Sequence, residues 1–335
     1  MSDKIDFVVT WVDGNDPNWQ KEREHYAALG HRDIDNNACR FRDWGTLRYW
    51  LRGVEKFAPW VNNVFFITCG HLPKWLNTNH PKLKIVKHSD FIPKEYLPTY
   101  NSNVIEFYFH NIKELSERFV YFNDDMFLID SVTPDRFFKN GLPCDMGEIG
   151  FKPETGLFGL SVFLSTDLIN RSFSPKKVIH KDLNKWVSFK YPLDVSFRNY
   201  IFMRNMDLFP HFVNSHLPQG LLKRIYDDVW SHNGPDLIRT SKNKFRLCGD
   251  IAFWLIRYWQ LASGNFAPYN IFKDGSFFVI RDENITTIYN CISEQKKKLV
   301  CLNDSESIND FETCRKLILE AFNEILPTKC SFENA

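Results

Sequence analysis

The chain has 335 residues, of which 44% are hydrophobic and 25% charged, a composition typical of globular rather than disordered proteins. Its 42 Lys and Arg residues balance 41 Asp and Glu residues, and the net charge of +1 argues against a nucleic-acid partner. The eight cysteines form no CxxC pair, which favours reduced thiols over disulfides or zinc.

The N-terminus and the hydropathy pattern bear on location. The first residues, MSDKIDFVVTW, are charged and enter an apolar run at once, so no signal peptide is expected. No window contains the roughly 18 apolar residues of a spanning helix. We therefore expect a cytoplasmic protein without a transmembrane segment. Peripheral association with the inner face of the membrane is left open.

The first predicted strand is IDFVVTWV, at residues 5–12, whose near-continuous hydrophobicity is typical of a strand buried on both faces. Asp13 and Gly14 follow at its carboxyl end, where a glycine allows a ligand to approach the backbone closely. The alternative interpretation of DGNDP, at residues 13–17, is a simple tight turn.

Residues 43–58 are predicted to form a helix, because apolar residues recur at helical spacing and a proline follows. Arg48 and Arg52 are four residues apart and share one helix face. Two guanidinium groups on one face suit a phosphate or diphosphate. The alternative is a solvated face paired with Glu55, and spacing alone favours that interpretation.

Two more strands and a helix follow, at residues 63–69, 83–87 and about 101–118. In this helix Glu106 lies three residues after Asn103 and fits a capping box, with a functional role as the alternative. Strand–helix alternation through residue 128 predicts right-handed βαβ units and a parallel sheet. The tips of its strands would lie on one edge.

The next predicted strand, FVYFNDDMF at residues 119–127, is interrupted by Asp124 and Asp125. Successive side chains of a strand point to opposite faces, so both acids reach one ligand only if the chain bends there. Open α/β sheets bind ligands at the carboxyl ends of their strands, and carboxylate oxygens suit Mg²⁺ or Mn²⁺. An ordinary Asn-Asp turn is the alternative.

The middle of the chain is less regular. Residues 131–215 contain helix breakers, and residues 181–206 carry many aromatic and basic side chains. We interpret this segment as an inserted, mostly helical or irregular region on the acceptor side. The predicted domains are an α/β core at 1–130, the insertion at 131–215, and a return to the core with a C-terminal helix at 216–335.

Pro218 and the apolar residues after it predict a helix that begins there, with His216 on the preceding loop. A histidine so placed is either catalytic or a cap or surface residue. Arg246 precedes Asp250, which is predicted to cap a second apolar helix at 251–261.

Residues 299–304 repeat the earlier pattern, since an apolar strand again ends in an Asn-Asp pair, Asn303 and Asp304. This strand could return to the sheet and bring another oxygen ligand beside the first aspartates. So short a repeat also arises by chance. The last predicted helix, from about residue 311, has an apolar stripe that indicates core packing or a partner face.

Four blocks, in order, resemble the Stealth family of sugar-1-phosphate transferases, which includes bacterial capsule enzymes and the catalytic core of the animal N-acetylglucosamine-1-phosphotransferase. The blocks are IDFVVTWVDGNDPNW at 5–19, the segment from RFRDWGTLRYW at residue 40 to FVYFNDDMF at 119–127, SHLPQGLLKR at 215–224 continuing to FRLCGDIAF at 245–253, and VCLND at 300–304. Residues 131–210 are not distinctive, so the resemblance does not imply an acceptor.

The resemblance implies a fold and a set of site residues. The fold is α/β, a Rossmann-like (glycosyltransferase-A-like) mainly parallel sheet with an inserted mostly helical subdomain, in which residues 1–130 bind the nucleotide sugar. The implied catalytic residues are His216, Arg246, Asp125 and Glu106. The implied metal ligands are Asp124, Asp125, Asn303 and Asp304. The nucleotide-sugar-binding candidates are Trp11, Asp13, Gly14, Arg48 and Arg52.

The resemblance also implies a reaction. A sugar-1-phosphate would pass from a UDP-hexose or UDP-N-acetylhexosamine to a sugar hydroxyl of a glycan acceptor, free or lipid-linked, with UMP release. The aspartates would hold Mg²⁺ or Mn²⁺, Arg246 would stabilise the transferred phosphoryl group, and His216 would take the hydroxyl proton. The alternatives are a metal-dependent glycosyltransferase that releases UDP and a non-catalytic glycan-binding protein.

Overall fold

The structure, a computed structural model, describes residues 4–29, 42–151 and 156–334. The strands within these ranges are β1 Ile5–Thr10, β2 Val64–Thr68, β3 Leu83–Lys87, β4 Arg118–Phe122, β5 Met126–Leu128, β6 Phe138–Lys139, β7 Leu142–Asp145, β8 Gln219–Leu222, β9 Ala267–Pro268, β10 Gly275–Val279 and β11 Leu299–Asn303. The helices are α1 Pro17–Leu29, α2 Leu47–Phe57, α3 Ser102–Phe107, α4 Gly156–Ser172, α5 Pro175–Trp186, α6 Leu193–Asn205, α7 Lys223–Ser241, α8 Trp254–Ala262, α9 Ile285–Ser293 and α10 Phe311–Ile325.

A five-stranded sheet in the order β3-β2-β1-β4-β8 forms the centre of the fold. Its first four strands are parallel and follow the 3-2-1-4 order of Rossmann folds. Strands β1, β2 and β4 are apolar almost throughout because both of their faces are buried. The predicted α/β class with a mainly parallel sheet is confirmed, and the carboxyl ends of the parallel strands lie along one edge.

Strand β8 lies where the sequence predicts the start of a helix. Instead of turning into a helix at Pro218, the chain pairs antiparallel to β4, with Tyr121 opposite Gln219, and α7 begins only at Lys223. Four residues are too few for apolar periodicity to distinguish the two structures. The open edge of β4 supplies backbone hydrogen bonds that an isolated first helical turn lacks. Pro218 is tolerated because it precedes the strand.

A second sheet, in the order β10-β11-β5, adjoins the core sheet at the tip that carries the two aspartates. Strand β5 begins directly after Asp125 and runs antiparallel to β11. The backbone N–H of Leu302 donates to the Asp125 carbonyl at 2.8 Å. Strand β11 therefore joins the continuation of β4 rather than the core sheet itself, which corrects the predicted return.

Two helices are shorter than predicted. The helix expected at 101–118 ends as α3 at Phe107, because Phe109 turns inward to pack on Tyr121, with ring centroids 5.1 Å apart. Helix α2 begins at Leu47 rather than at residue 43. Gly45 has a φ of +72°, which interrupts a right-handed helix.

The segment between β7 and β8 forms the three helices α4, α5 and α6. The domain boundaries placed at residues 130 and 215 stay predictions. Among the described residues, each helix is too short or too polar to cross a lipid bilayer.

A buried ion pair fastens the C-terminal segment to α2. Arg52 Nε and Nη2 donate to Glu333 Oε1 and Oε2 at 2.6 and 3.0 Å, and Arg52 Nη1 donates to the Leu326 carbonyl at 2.9 Å. The side chains of Arg52 and Glu333 are only 7% and 2% exposed. The guanidinium group expected to bind a diphosphate is therefore occupied by a structural partner.

Removing one partner of this ion pair should destabilise the fold. We expect Glu333→Ala to lower the free energy of unfolding by about 3 to 5 kcal/mol, because the Arg52 guanidinium would stay buried without its counter-charge. Urea unfolding measures this difference. The control is Glu320→Ala, which removes the half-exposed partner of Lys316 and should cost less than about 1 kcal/mol. Equal losses in the two variants would contradict a structural role for the pair.

Candidate active site

The carboxyl ends of β1, β4 and β11 contribute to one cavity of about 720 Å³, a size common for ligand sites. Eight of the predicted site residues line it: Trp11, Glu106, Asp124, Asp125, His216, Arg246, Asn303 and Asp304. One enclosure therefore brings acids from the middle of the chain together with a histidine and an arginine from its last third.

The other predicted nucleotide-sugar ligands do not line this cavity: Asp13, Gly14, Arg48 and Arg52. Asp13 Oδ1 accepts a hydrogen bond from the Asn15 N–H at 3.0 Å. This contact supports the alternative in which DGNDP, at residues 13–17, forms a tight turn. The Arg48 guanidinium lies over the Trp75 ring, 5.3 Å from its centroid, and Arg52 is paired with Glu333. Although Arg48 and Arg52 share one helix face, they have separate partners and do not form a common anion site.

His216 lies beside Asp125, with its Nε2 atom 3.5 Å from Oδ2. Its φ of 45° is in the left-handed region, which costs a residue with a Cβ on the order of 1–3 kcal/mol. The neighbouring Leu217 is buried in the core and holds this turn in place. A strained, partly exposed histidine in a cavity is characteristic of a functional site.

Glu106 is a buried acid at the back of the cavity. The Tyr121 hydroxyl donates to its Oε1 at 2.6 Å, and burial raises the pKa of Glu106 to about 7. The positive charges of Arg246 and His216 act in the opposite direction and favour the ionised carboxylate. The predicted capping box is not formed, because the side chain of Asn101 caps α3 through the Asn103 N–H.

Arg246 reaches the same region from the loop before α8. Its Nη2 donates to the Ser102 hydroxyl on α3. Asp250 secures this loop by accepting from Asn101 Nδ2 at 2.8 Å and from the Leu247 N–H at 3.0 Å. Asp250 is therefore not the predicted helix cap, and α8 begins four residues later, at Trp254.

The carboxylates of Asp124 and Asp125 fit a divalent cation. Asp124 is exposed to the cavity yet lies in a recess of the protein, and this burial, together with the charge of Asp125, raises its pKa to about 7. Asp125 Oδ1 is buried without a hydrogen bond of normal geometry among the described residues, and the Cys301 thiol lies beside this carboxylate. A cation bound by either carboxylate would offset the repulsion between the two negative charges.

The third group near this point is the Cys301 thiol. Ligand atoms of Cys301, Asp125 and His216 lie within 4.8 Å of one another. Burial and the Asp125 charge raise the pKa of Cys301 well above its usual range, so the sulfur stays a neutral thiol. Metal ligation by cysteine requires the thiolate. The Asp125 carboxylate and the His216 imidazole are therefore the stronger candidate ligands of this group.

Asp304, at the end of β11, already has several partners. Its Oδ2 accepts from Trp44 Nε1 at 3.1 Å and lies 3.4 Å from Arg42 Nε, and its Oδ1 accepts from the Ser305 N–H at 2.7 Å. Asn303 donates through Nδ2 to the Asp304 carbonyl at 3.1 Å. Both residues line the cavity, and their ligation of a metal stays a prediction.

Gln219 is a cavity residue that sequence reasoning missed. Both polar atoms of its side-chain amide are buried without a partner among the described residues. An amide that can donate and accept is a natural partner for sugar hydroxyls or phosphate oxygens. The sequence did not indicate this role, because these residues are predicted to be helical. Tyr121 was missed too, since its aromatic ring suggests only core packing.

Two conserved regions of Stealth proteins match the chain, conserved region 1 at residues 3–28 and conserved region 2 at residues 40–144. The capsular polysaccharide phosphotransferase WcwK of Streptococcus pneumoniae is 42% identical over 338 residues, which cover 99% of this chain and 98% of the relative. The receptor polysaccharide phosphotransferase WefC of Streptococcus gordonii is 37% identical, with 99% and 100% covered. The exopolysaccharide phosphotransferase cps2G of Lactiplantibacillus plantarum is 36% identical, with 98% and 96% covered.

Among solved structures, the galactosyltransferase LgtC in complex with donor and acceptor sugar analogues covers 97% of this chain and 96% of its own, with 11% identity and a TM-score of 0.39. A TM-score this low supports no conclusion about the present chain. The sequence relatives are decisive by contrast, because they match over nearly the whole of both chains. This protein belongs to the Stealth family, as its four sequence blocks predicted.

Proposed function

We propose that this chain transfers a sugar-1-phosphate from a UDP-hexose or UDP-N-acetylhexosamine to a sugar hydroxyl, with UMP release, in capsular or exopolysaccharide synthesis. The observation that carries the proposal is the 3.5 Å approach of His216 to Asp125 in a cavity that Glu106, Asp124 and Arg246 also line. Relatives named as polysaccharide phosphotransferases match over nearly their whole length and support this class of reaction.

The donor would lie across the strand tips, where open α/β sheets bind nucleotides. Trp11, directly after β1, faces the cavity and packs on Phe66, so its indole can stack on a uracil or sugar ring. Asp124 and Asp125 would hold Mg²⁺ or Mn²⁺. The bound cation would neutralise pyrophosphate oxygens and the departing UMP.

The reaction needs in-line placement and a base more than covalent catalysis. The acceptor hydroxyl oxygen forms a bond to the phosphorus that carries the sugar, the bond from that phosphorus to UMP breaks, and the hydroxyl proton passes to His216. The Asp125 carboxylate would stabilise the resulting imidazolium through its Oδ2 atom.

Arg246 would stabilise the transferred phosphoryl group, because a guanidinium can donate two parallel hydrogen bonds to its oxygens. The hydroxyl of Ser102 orients this side chain. Glu106 lies within electrostatic range of both Arg246 and His216 and holds Tyr121 in place. We assign Glu106 to the control of charge around the two cationic groups.

The acceptor is a glycan, and we propose that it is lipid-linked and used at the inner face of the membrane. The relatives are named as capsular polysaccharide and exopolysaccharide phosphotransferases, which supports a glycan acceptor. This part of the proposal concerns where the reaction occurs and is separable from the chemistry of the cavity.

The nucleotide product tests the reaction. Incubation of the purified chain with a panel of UDP-sugars, glycan acceptors and Mg²⁺ should release UMP, and the product should show the phosphorus NMR signal of a diester. EDTA should abolish this release, and Mg²⁺ or Mn²⁺ should restore it. Release of UDP would establish a glycosyltransferase instead. Glycan binding without release of either nucleotide would establish a binding protein.

His216→Asn tests the proposed base. Asparagine tolerates the left-handed backbone of this position, so the fold should be kept while the imidazole is lost. We expect kcat to fall by about 10²- to 10⁴-fold, with the thermal shift caused by UDP and Mg²⁺ retained. The control is His180→Asn, an exposed histidine on α5. A His216→Asn enzyme as active as the control would exclude the histidine as the base.

The raised pKa of Glu106 predicts a pH-dependent stability. The native carboxyl titrates near pH 7 and the unfolded one near its ordinary value of 4.5, so between these values the native state binds more protons. Stability is therefore lost as the pH rises through this window. Glu106→Gln removes the penalty, and from pH 5 to pH 8 the variant should gain up to roughly 3 kcal/mol relative to wild type.

Urea unfolding at the two pH values measures this gain. Glu95→Gln, at an exposed position, is the control and should change little between them. A pH profile of Glu106→Gln parallel to that of the wild type would show that the native carboxyl titrates normally.

A further inference from the structure

Exposed apolar side chains are concentrated in one part of the chain. Of the sixteen large hydrophobic residues that are exposed among the described residues, eleven lie between residues 151 and 208. The densest group is on α6 and the turn before it, where Phe189 is fully exposed and Leu193 and Phe197 are 78% and 69% exposed. Single exposed apolar residues are ordinary, but such a group marks an interaction surface.

Four exposed residues of α6 lie on one side of the helix, which we call the outer face: Leu193, Phe197, Tyr200 and Ile201. Their spacing of three and four residues places them on one stripe of the helix. The opposite stripe contains the buried Val195 and Met203. Helix α6 therefore has two apolar stripes. One is buried against the rest of the protein, and the other, the outer face, is exposed.

The helix cannot rotate to bury the outer face, because polar contacts fix its orientation. Asn199, fully buried, donates to the Gly147 carbonyl at 2.6 Å and to the Trp186 carbonyl at 2.9 Å, and accepts from the Ile149 N–H at 3.1 Å. Rotation would leave these buried backbone groups unpaired. The outer face therefore stays exposed among the described residues and is free to contact a partner.

Charge indicates what that partner is. Residues 156–208 contain eight Lys and Arg residues and four Asp residues, a net charge of +4, whereas the whole chain carries +1. The remaining residues are thus net negative, by three charges. Two exposed basic residues and one exposed acid flank the outer face: Lys190 beside Phe189, Arg204, whose guanidinium contacts Tyr200, and Asp194 beside Leu193. Aromatic and aliphatic side chains flanked by lysine and arginine are characteristic of helices that lie on anionic membranes.

We propose that the outer face of α6, together with Phe189, docks the protein on an anionic lipid bilayer. The apolar side chains enter the boundary between headgroups and acyl chains, and Lys190 and Arg204 pair with lipid phosphates. This inference deepens the membrane location proposed above by naming the surface responsible, and it does not depend on the chemistry of the cavity.

The packing around α6 connects this surface to the cavity. Phe209, four residues after α6, exchanges hydrogen bonds of 3.0 and 2.8 Å with Asn170 of α4. Near the other end of α4, Phe158 and Ser161 line the cavity, and Phe158 is partly exposed. Docking through α6 would thus hold α4, and one wall of the cavity, near the bilayer that carries a lipid-linked acceptor.

Vesicle flotation of the full chain tests the proposal. We expect binding to phosphatidylcholine vesicles that contain phosphatidylglycerol to be at least about tenfold stronger than to phosphatidylcholine alone, and to weaken in high salt. The triple variant Phe189→Ser, Leu193→Ser, Phe197→Ser should lose at least about tenfold in binding to the anionic vesicles. A matched triple variant at exposed apolar positions elsewhere should bind like the wild type: Leu29→Ser, Leu72→Ser, Ile238→Ser.

The charge contribution has its own pair of variants. Lys190→Glu with Arg204→Glu should weaken binding to anionic vesicles, whereas Lys74→Glu with Lys329→Glu, which makes the same change of net charge at other exposed positions, should not. Unchanged thermal midpoints and an unchanged thermal shift with UDP and Mg²⁺ would show that the variants fold.

The opposite results are equally clear. The docking surface would be overturned if the folded wild type bound vesicles equally well with and without phosphatidylglycerol. It would also be overturned if the triple variant bound anionic vesicles as well as its control. A wild-type dimer that the triple variant converts to monomer, without vesicle binding by either, would assign the surface to a second copy. UMP release from the UDP-sugar donor is measured separately, with a soluble acceptor, so failure of docking and failure of the proposed reaction are distinguishable.

Discussion

The antiparallel pairing of β8 with β4 is the constraint on which the candidate site depends. Tyr121 lies opposite Gln219, so following β4 forward and β8 backward leads to Asp124 and His216 at the same edge of the sheet. The 3.5 Å contact between His216 and Asp125 is a direct result of this register. A slip of one residue would turn the side chains of β8 to the other face and separate His216 from Asp125.

The charged groups of the cavity are less fully paired than the charged groups that stabilise the fold. Arg257 and Asp145, like Arg52 and Glu333, form buried pairs with two short hydrogen bonds each, so their charges are fully compensated. In the cavity, Asp125 Oδ1 is buried without a hydrogen-bond partner in the part of the chain that the structure describes. Such incomplete compensation is costly to a fold and is expected where a ligand completes it.

Much of the fold could be predicted because its signals are local. The continuous apolar runs of β1, β2 and β4 indicate buried parallel strands, and the polar residues after them indicate a ligand edge. The aspartate pair was predicted from a strand end, and His216 from the loop before a predicted helix together with the family resemblance.

What could not be predicted depends on partners distant in sequence. Arg52 and Arg48 look equivalent on a helix face, but Glu333 lies 281 residues from Arg52 and no local pattern reveals it. Gln219 was missed because a four-residue apolar run is too short to show helical or strand periodicity. Its strand forms by pairing with the open edge of β4. Glu106 fits a capping box in sequence, while its actual partner is the hydroxyl of Tyr121.

The order of the strands also has a kinetic consequence. Strands β1 to β4 can pair while the later chain is still unstructured. Strand β8, by contrast, must close a connection of 96 residues, from 123 to 218, onto β4, at an entropic cost that short connections avoid. Until that loop closes, the imidazole and the carboxylate are tethered only loosely. The candidate site is therefore assembled in a long-range step of folding, after much of the sheet that supports it can already exist.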